Sequence, residues 1–284
     1  MSNHVKTAAL LALLSVLFIF IGRALGGQQG MVIAFVFAMI MNVVSYWYSD
    51  KIVLRLYRAQ PMETDHPVVE VIRDLAARAR MPMPRLYRIP SSSPNAFATG
   101  RNPQHAAVAV SEGLLKILNR EELEGVLAHE LSHVLNRDTL ISTCAATMAS
   151  AIVMLANMAK WAAIFGGSRR DERGGGGLFE VIAMAIFAPL AAALIQMAIS
   201  RSREFQADKS GAQLAKSSEG LISALKKISH VSKQMPLEGA TPATSHLFII
   251  NPLAGSLSVT KLFSTHPPLE ERIRQLRNEF RYGR

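Results

Sequence analysis

The chain has 284 residues, of which 50% are hydrophobic and only 18% charged, and its formal net charge is +10 at pH 7. This balance argues against an ordinary water-soluble enzyme and favours a protein with lipid-facing and water-facing parts. A basic surface can attract nucleic acid or anionic lipid. No nucleic-acid-binding signature occurs along the chain, so we predict a lipid bilayer and no nucleic acid as partner; the simpler alternative is that flanking Lys and Arg residues only fix topology.

Two apolar runs, residues 7–22 and 31–46, open the chain. Each approaches the roughly 20 residues that a helix needs to cross hydrocarbon. Trp47 and Tyr48 follow where an interfacial aromatic belt is expected. No small-residue cleavage site follows the first run, which argues against a secretory signal. We therefore predict an uncleaved transmembrane hairpin over residues 1–49.

Residues 50–138 have the composition of a water-soluble segment. Within it, apolar spacing and turn residues predict short elements in this order: a helix over 66–79, a strand over 86–89, a turn-rich stretch over 94–100, a strand over 106–110, a helix over 111–117 and a helix over 121–137. Acidic residues crowd the start of the last helix, which suits the positive end of its dipole.

Two more apolar runs cover residues 139–165 and 178–199, and a charged, glycine-rich linker joins them. Residues 139–200 thus form a second hydrophobic pair, either two spans or a re-entrant pair. Residues 201–284 are again water-soluble in character, with helices predicted over 202–214, over 218–232 and after Pro267–Pro268. Lys and Arg near the apolar runs place both water-soluble segments in the cytoplasm.

The strongest chemical signal is the sequence His129-Glu130-Leu131-Ser132-His133. On a helix, positions i and i+4 lie on one face, so both imidazoles can reach one zinc ion. Glu130 then stands beside the metal as a proton acceptor for bound water, which is the physical content of the H-E-x-x-H pattern. The alternative is two ordinary histidines on a polar helix face. The chain has one cysteine, Cys144, inside an apolar run, so a cysteine-based zinc site is excluded and any metal must be held by His and carboxylates.

A catalytic zinc needs a third protein ligand and an open position. The metzincin pattern is excluded because Asn136 and Thr139 stand where it requires Gly and His. A glutamate on a later helix is the other common solution, and Glu204 is the candidate. Asp208 lies four residues on, so that it could hydrogen-bond a ligand histidine. On spacing alone, the alternative is a solvated acidic pair among Arg201, Arg203 and Lys209.

The chain resembles the HtpX-type proteases, bacterial membrane zinc peptidases related to the CAAX-prenyl protease. The resemblance covers nearly the whole chain and rests on these segments: P-N-A-F-A-T-G at 94–100, A-H-E-L-S-H at 128–133 followed by N-R-D, S-R-E-F-Q-A-D at 202–208 and S-T-H-P-P at 264–268. It implies a mainly α integral membrane protein with a zincin-like (gluzincin) catalytic domain containing a small β-sheet. Residues 50–138 and 201–284 would form that domain, with Glu204 as the third zinc ligand.

The resemblance also implies roles for further residues. His266 would donate to the oxygen of the attacked carbonyl, or it is only a helix cap before Pro267. Arg272 would support it or bind substrate backbone. Asn136, like Asp208, would contact the zinc ligands without binding the metal itself. Asn95, Ala96 and Phe97 resemble an edge strand to which an extended peptide could add through main-chain hydrogen bonds. The alternative is an ordinary turn with a buried Phe97.

These patterns predict an endopeptidase with one Zn²⁺ per chain that cleaves polypeptides. The resemblance implies quality control of damaged membrane proteins under envelope stress, as a multi-pass protein of the bacterial inner membrane with its catalytic domain facing the cytoplasm. Because the motif helix is predicted to run directly into the apolar stretch at Thr139, we expect the zinc close to the membrane surface. Two alternatives stay open: a membrane protein with a structural zinc, and a prenyl-protein protease.

Overall fold

The computed structural model describes residues 3–149, 152, 201–234, 249 and 267–282. The helices in these ranges are α1 (Asn3–Leu56), α2 (Pro67–Arg78), α3 (Glu112–Ile117), α4 (Arg120–Leu135), α5 (Thr139–Ala149), α6 (Arg201–Ala215), α7 (Glu219–Gln234) and α8 (Leu269–Tyr282). The strands are β1 (Gln60–Pro61), β2 (Arg85–Ile89), β3 (Ala96–Thr99) and β4 (Ala107–Ser111). The predicted mainly helical architecture with a small sheet is confirmed.

Helix α1 reverses direction at Gly27, whose φ of 59° is a conformation that glycine adopts without steric cost. Its two arms pack against each other: Asn42 Nδ2 donates to Ser15 Oγ at 2.8 Å. The rings of Phe18 and Phe37 meet edge to face, with centroids 5.5 Å apart. The second arm, Gly27–Leu56, is long and apolar enough to cross a membrane, and it is the one such helix among the described residues.

The four strands form one mixed sheet in the order β1-β2-β4-β3. β1 and β3 run antiparallel to their neighbours, whereas β2 and β4 are parallel. β4 is buried along its whole length, as expected for a central strand covered on both faces. The stretch over 94–100, expected from the sequence to be turn-rich, therefore contains β3, an edge strand of the described sheet.

The sheet separates two apolar clusters because successive strand residues point to opposite faces. On one face, Val108 and Val110 of β4 join the large core formed with α2, α4, α7 and α8. On the other face, Ala107 and Ala109 contact a smaller cluster that includes Phe97 and the end of α1. The central strand thus joins the core around α4 to the base of the α1 hairpin.

Helix α4 begins with a capping box, in which Asn119 Oδ1 accepts from the Glu122 N–H at 2.9 Å and Glu122 Oε2 accepts from the Asn119 N–H at 2.9 Å. The predicted continuity of this helix with the apolar stretch at Thr139 is wrong. The helix ends at Leu135, and Arg137 takes a left-handed φ of 56° before α5 begins. The break gives the chain a turn in which Asp138 lies against the motif.

Candidate metal centre

Three side chains from two helices converge at one point. His129 and His133 lie one turn apart on α4, and their Nε2 atoms are 3.2 Å apart. Glu204 of α6 places Oε2 3.8 Å from His129 Nε2 and Oε1 3.7 Å from His133 Nε2. A tetrahedral zinc with Zn–N bonds of about 2.0–2.1 Å would space its ligand atoms about 3.3–3.4 Å apart. The cluster therefore fits a single metal ion with little adjustment.

A carboxylate stands behind each histidine. Asp208 Oδ1 lies 2.9 Å from His129 Nδ1, and Asp138 Oδ2 lies 3.1 Å from His133 Nδ1. A carboxylate at Nδ1 holds that nitrogen in its N–H form and leaves the lone pair on Nε2, which is the tautomer that a metal requires. The sequence predicted that Asp208 could contact a ligand histidine, and in the structure it lies against His129. Asp138 was missed in this role, because its approach depends on the left-handed turn at Arg137.

Arg272 of α8 holds Asp208 in place with a two-pronged ion pair. Its Nε and Nη2 donate to the Asp208 carboxylate at 2.8 and 2.6 Å, and its Nη1 donates to the Ile249 carbonyl at 2.9 Å. Burial alone would raise the pKa of Asp208, but the Arg272 charge and His129 outweigh it and lower the pKa to about 2. Arg272 is 1% exposed, and its guanidinium lies behind the Asp208–His129 pair.

Glu130 points from α4 to the edge strand. Its Oε2 accepts from the Ala98 N–H at 2.9 Å. Burial raises the pKa of Glu130 to about 7, against the opposing effect of His133, and the nearby Glu204 carboxylate adds to the rise. A carboxylate with a pKa near neutrality can both take up and release a proton at physiological pH, as a general base requires.

Burial would lower the pKa of His133, but the carboxylates of Asp138, Glu204 and Glu130 outweigh it and raise the pKa to about 10. Burial lowers the pKa of His129. Arg203 adds a positive charge near Asp138 and Glu204. Its side chain is buried, and its terminal nitrogens have no hydrogen-bond partner in the described part of the chain. A metal ion at His133 would therefore compete with a proton for the imidazole.

Glycine at position 211 allows α6 to approach α4 at the metal site. A Cβ atom at Gly211 would lie 2.8 Å from both the backbone N and the Cα of His129, closer than carbon atoms can pack. Gly125 has the same function at the contact of α4 with α7, where a Cβ would lie 2.5 Å from the Leu221 nitrogen. Neither glycine carries a sequence signal that separates it from an ordinary helix glycine, and both were missed.

The three predicted edge-strand residues lie at or directly before the start of β3, which contacts Glu130 through the Ala98 N–H, and they present different groups. The Ala98 N–H points away from β4 and donates to Glu130. Along an antiparallel strand, every second residue directs its main-chain groups to the partner strand, so Ala96 and Ala98 direct theirs away from β4. Phe97 instead packs against Tyr57 on the opposite face of the sheet, 5.5 Å between ring centroids. Asn95 is buried, and its Oδ1 accepts from the Ile249 N–H at 3.4 Å.

Asn136 and His266 are the two remaining site residues predicted from the sequence. Asn136 caps the end of α4, where its N–H donates to the Ser132 carbonyl at 2.9 Å. The residue that faces His133 from this turn is Asp138. His266 lies outside the described residues.

An H-E-x-x-H pair on one helix, completed by a carboxylate from a second helix, is an arrangement typical of metallopeptidases. The sequence profile of Peptidase family M48 matches residues 62–280, which include every residue of the metal cluster. The chain belongs to this family.

Curated relatives extend the match over almost the whole chain. A "Protease HtpX homolog" of Syntrophobacter fumaroxidans is 56% identical over 282 residues, 98% of this chain and 100% of the relative. A protein of the same description from Thermococcus kodakarensis is 53% identical over 274 residues, 96% of this chain and 94% of the relative. The resemblance to HtpX-type proteases is thereby confirmed.

Among solved structures, the chain is similar to the crystal structure of S. mikatae Ste24p. The TM-score is 0.53 at 18% sequence identity, with 95% of this chain and 62% of that longer chain covered. At this identity the similarity concerns the fold, and it agrees with the mainly helical architecture around a small sheet.

Exchanging Arg272 for lysine tests the support that it gives to the metal site. Lysine keeps the charge but cannot donate in parallel to both oxygens of Asp208. We expect Arg272→Lys to weaken metal binding about 10- to 100-fold, the usual cost of disturbing a group that orients a ligand histidine. Competition with a chromogenic chelator measures this affinity.

Arg274→Lys is the matched control, because Arg274 lies on the same helix with its side chain 70% exposed. It should bind metal as the unmodified protein does. Equal affinities in the two variants would contradict the assigned role of Arg272.

Proposed function

We propose that this chain is a zinc-dependent membrane endopeptidase that cleaves damaged or misfolded membrane proteins at the bilayer surface. The observation that carries the proposal is the convergence of His129, His133 and Glu204, with Glu130 beside them and outside the ligand set. A structural zinc site is usually closed by four protein ligands. Three ligands and an adjacent proton acceptor support an enzyme over a structural zinc protein.

Zinc, when bound, would acidify a water molecule and polarise the substrate carbonyl. The protein's own part begins with Glu130, which accepts the proton of the attacking water and passes it to the leaving amine. The Ala98 N–H holds the Glu130 carboxylate in position for both transfers. Asp208 and Asp138 hold the imidazoles of the two ligands in the required tautomer. His266 is proposed to donate to the oxygen of the attacked carbonyl.

The edge strand supports a peptide as the substrate. β3 lies at the edge of the described sheet with Ala96 and Ala98 facing outward, and the Ala98 N–H already contacts Glu130. A substrate in extended conformation can add to such an edge through main-chain hydrogen bonds, which are independent of side-chain identity. This mode of binding suits an enzyme that acts on unfolded segments of many proteins.

The proposed location is the bacterial inner membrane, with the catalytic domain in the cytoplasm. The apolar helix Gly27–Leu56 and the charge of +10 support membrane insertion. The site lies near this helix, because Tyr57, directly after it, packs on Phe97 of β3. We propose that the apolar runs over 139–165 and 178–199 add to the multi-pass topology; most of their residues lie outside the described ranges.

The deciding experiment is metal removal and restoration on the full-length protein in detergent. Chelation should abolish cleavage of an unfolded protein such as casein, and one equivalent of Zn²⁺ per chain should restore it. A farnesylated peptide assayed in parallel tests the prenyl-protease alternative. A zinc-loaded protein without activity on any unfolded substrate would support a structural zinc, and selective cleavage of the farnesylated peptide would support the prenyl protease.

Zinc binding at pH 8 is expected to release about one proton per chain. The pKa of His133 is raised to about 10, so the metal-free protein is protonated there at pH 8, whereas a ligand imidazole must be neutral. Below pH 10, the apparent zinc affinity should therefore fall about tenfold per pH unit through this one group. Calorimetry in two buffers of different ionisation enthalpy counts the released protons.

Asp138→Asn is the comparison variant for proton release, because it removes the carboxylate that raises the pKa of His133 most. This variant should release a smaller fraction of a proton at pH 8. Identical proton release in the variant and the unmodified protein would contradict the assignment to His133.

A further inference from the structure

The second arm of α1 changes character at residues 47–51. From Val32 to Val43 its exposed side chains are apolar, as at Ile33, Ile40 and Val43. Trp47 and Tyr48 follow, 49% and 50% exposed. At about 1.5 Å per residue, the helix rises about 32 Å from Gly27 to Tyr48, close to the roughly 30 Å of a bilayer's hydrocarbon core. In the membrane orientation proposed above, on which this inference rests, the two aromatic rings lie at the level of the headgroups.

Two cations are held on these rings. The Arg101 guanidinium carbon lies 4.6 Å from the centroid of Trp47, and Lys51 Nζ lies 5.2 Å from the centroid of Tyr48. A cation over a ring face is fixed in position but keeps its charge. The N–H edge of a stacked guanidinium also stays open to a phosphate group.

Among the described residues, no acidic side chain pairs with the cations of this surface. Four cations surround the end of α1, and we call them the basic collar: Lys51, Arg55, Arg58 and Arg101. No member forms an ion pair with any acid in residues 3–149, 201–234 or 267–282. The acid of this region, Asp50, is bound by Arg85 at 2.6 Å. The charge of the basic collar is therefore available to an external anion.

We propose that the basic collar binds the phosphodiester headgroups of anionic phospholipids, and that Arg101 transmits this contact to the substrate strand. Arg101 follows β3 by two residues. Between them, the Gly100 carbonyl accepts from Thr139 Oγ1 at 2.9 Å, which ties the turn to the start of α5. A headgroup bound to Arg101 on Trp47 fixes the end of β3 relative to the bilayer, so anionic lipid lowers the KM for an unfolded protein substrate.

Quenching of Trp47 fluorescence tests the lipid contact without relying on protease activity. The full-length chain with Trp161→Phe, which leaves Trp47 as its one tryptophan, is placed in nanodiscs of phosphatidylcholine with increasing brominated phosphatidylglycerol. We expect stronger quenching by this anionic lipid than by brominated phosphatidylcholine. Arg101→Gln should lower the apparent affinity for phosphatidylglycerol about fivefold, the contribution of one basic residue near an anionic surface.

The matched control is Arg120→Gln, which removes the same charge from an exposed arginine paired with Glu70 on α2. It should leave the quenching unchanged. Equal quenching by the two lipids, or equal loss in both variants, would overturn the proposal. Full competition by soluble glycerol 3-phosphate would also overturn it, because the site would then bind free phosphate.

Measuring casein cleavage in each lipid distinguishes failure of the lipid proposal from failure of the proposed protease function. The KM for casein should fall at least threefold when phosphatidylglycerol replaces phosphatidylcholine, and Arg101→Gln should remove the difference without changing kcat. Selective quenching with an unchanged KM would overturn the link to β3. Absence of cleavage in every lipid would overturn the proposed protease function, while the quenching result would still decide the lipid contact.

Discussion

Replacing Glu130 by glutamine is expected to lower peptide hydrolysis about 10³-fold while zinc stays bound. Glutamine has the shape of glutamate, and its carbonyl oxygen can still accept the Ala98 N–H, so β3 and α4 should keep their contact. It cannot accept the proton of the attacking water. Steady-state cleavage of an unfolded substrate, measured together with zinc content by atomic absorption, tests this expectation.

Glu121→Gln is the matched control, because Glu121 lies on the same helix, exposed at its N-terminal end. Its activity should equal that of the unmodified protein within about twofold. If Glu130→Gln retained zinc and cleaved at the unmodified rate, another group would have to be the base. If it lost zinc, the carboxylate would have to belong to the ligand set.

Gly211→Ala is expected to weaken zinc binding at least tenfold, although position 211 offers no ligand atom. The added methyl group would lie 2.8 Å from the His129 backbone, so α6 must move away from α4. Because α6 carries Glu204 and Asp208, that movement separates the third ligand from both histidines. Overpacking of this kind also costs about 1–3 kcal/mol of stability. Zinc affinity and thermal unfolding of the metal-free protein measure the two effects separately.

Gly125→Ala distinguishes damage to the site from damage to the fold. A methyl group there would lie 2.5 Å from the Leu221 nitrogen and push α7 from α4, but α7 carries no ligand. We expect a similar loss of stability and a zinc affinity within about threefold of the unmodified value. A parallel fall in affinity in both variants would show that the weaker binding of Gly211→Ala follows from general instability.

The sequence alone determined the parts of this protein that depend on local geometry. The spacing of His129 and His133 placed both imidazoles on one face of a helix, with Glu130 beside them, because helical periodicity is a property of neighbouring residues. Glu204 and Asp208 shared a face on the same ground. The apolar second arm of the hairpin could be recognised by length and composition, since a bilayer requires a nearly uninterrupted apolar run.

Only the tertiary structure decided which groups meet across elements. Arg272 was expected to support His266 or to bind substrate backbone, and only the packing of α8 shows that its guanidinium contacts Asp208. Asp138 reaches His133 because the chain turns left-handed at Arg137, and Gly211 matters because α6 crosses α4 at His129. These contacts join residues distant in sequence or depend on one backbone angle, and neither leaves a periodic pattern from which it could be predicted.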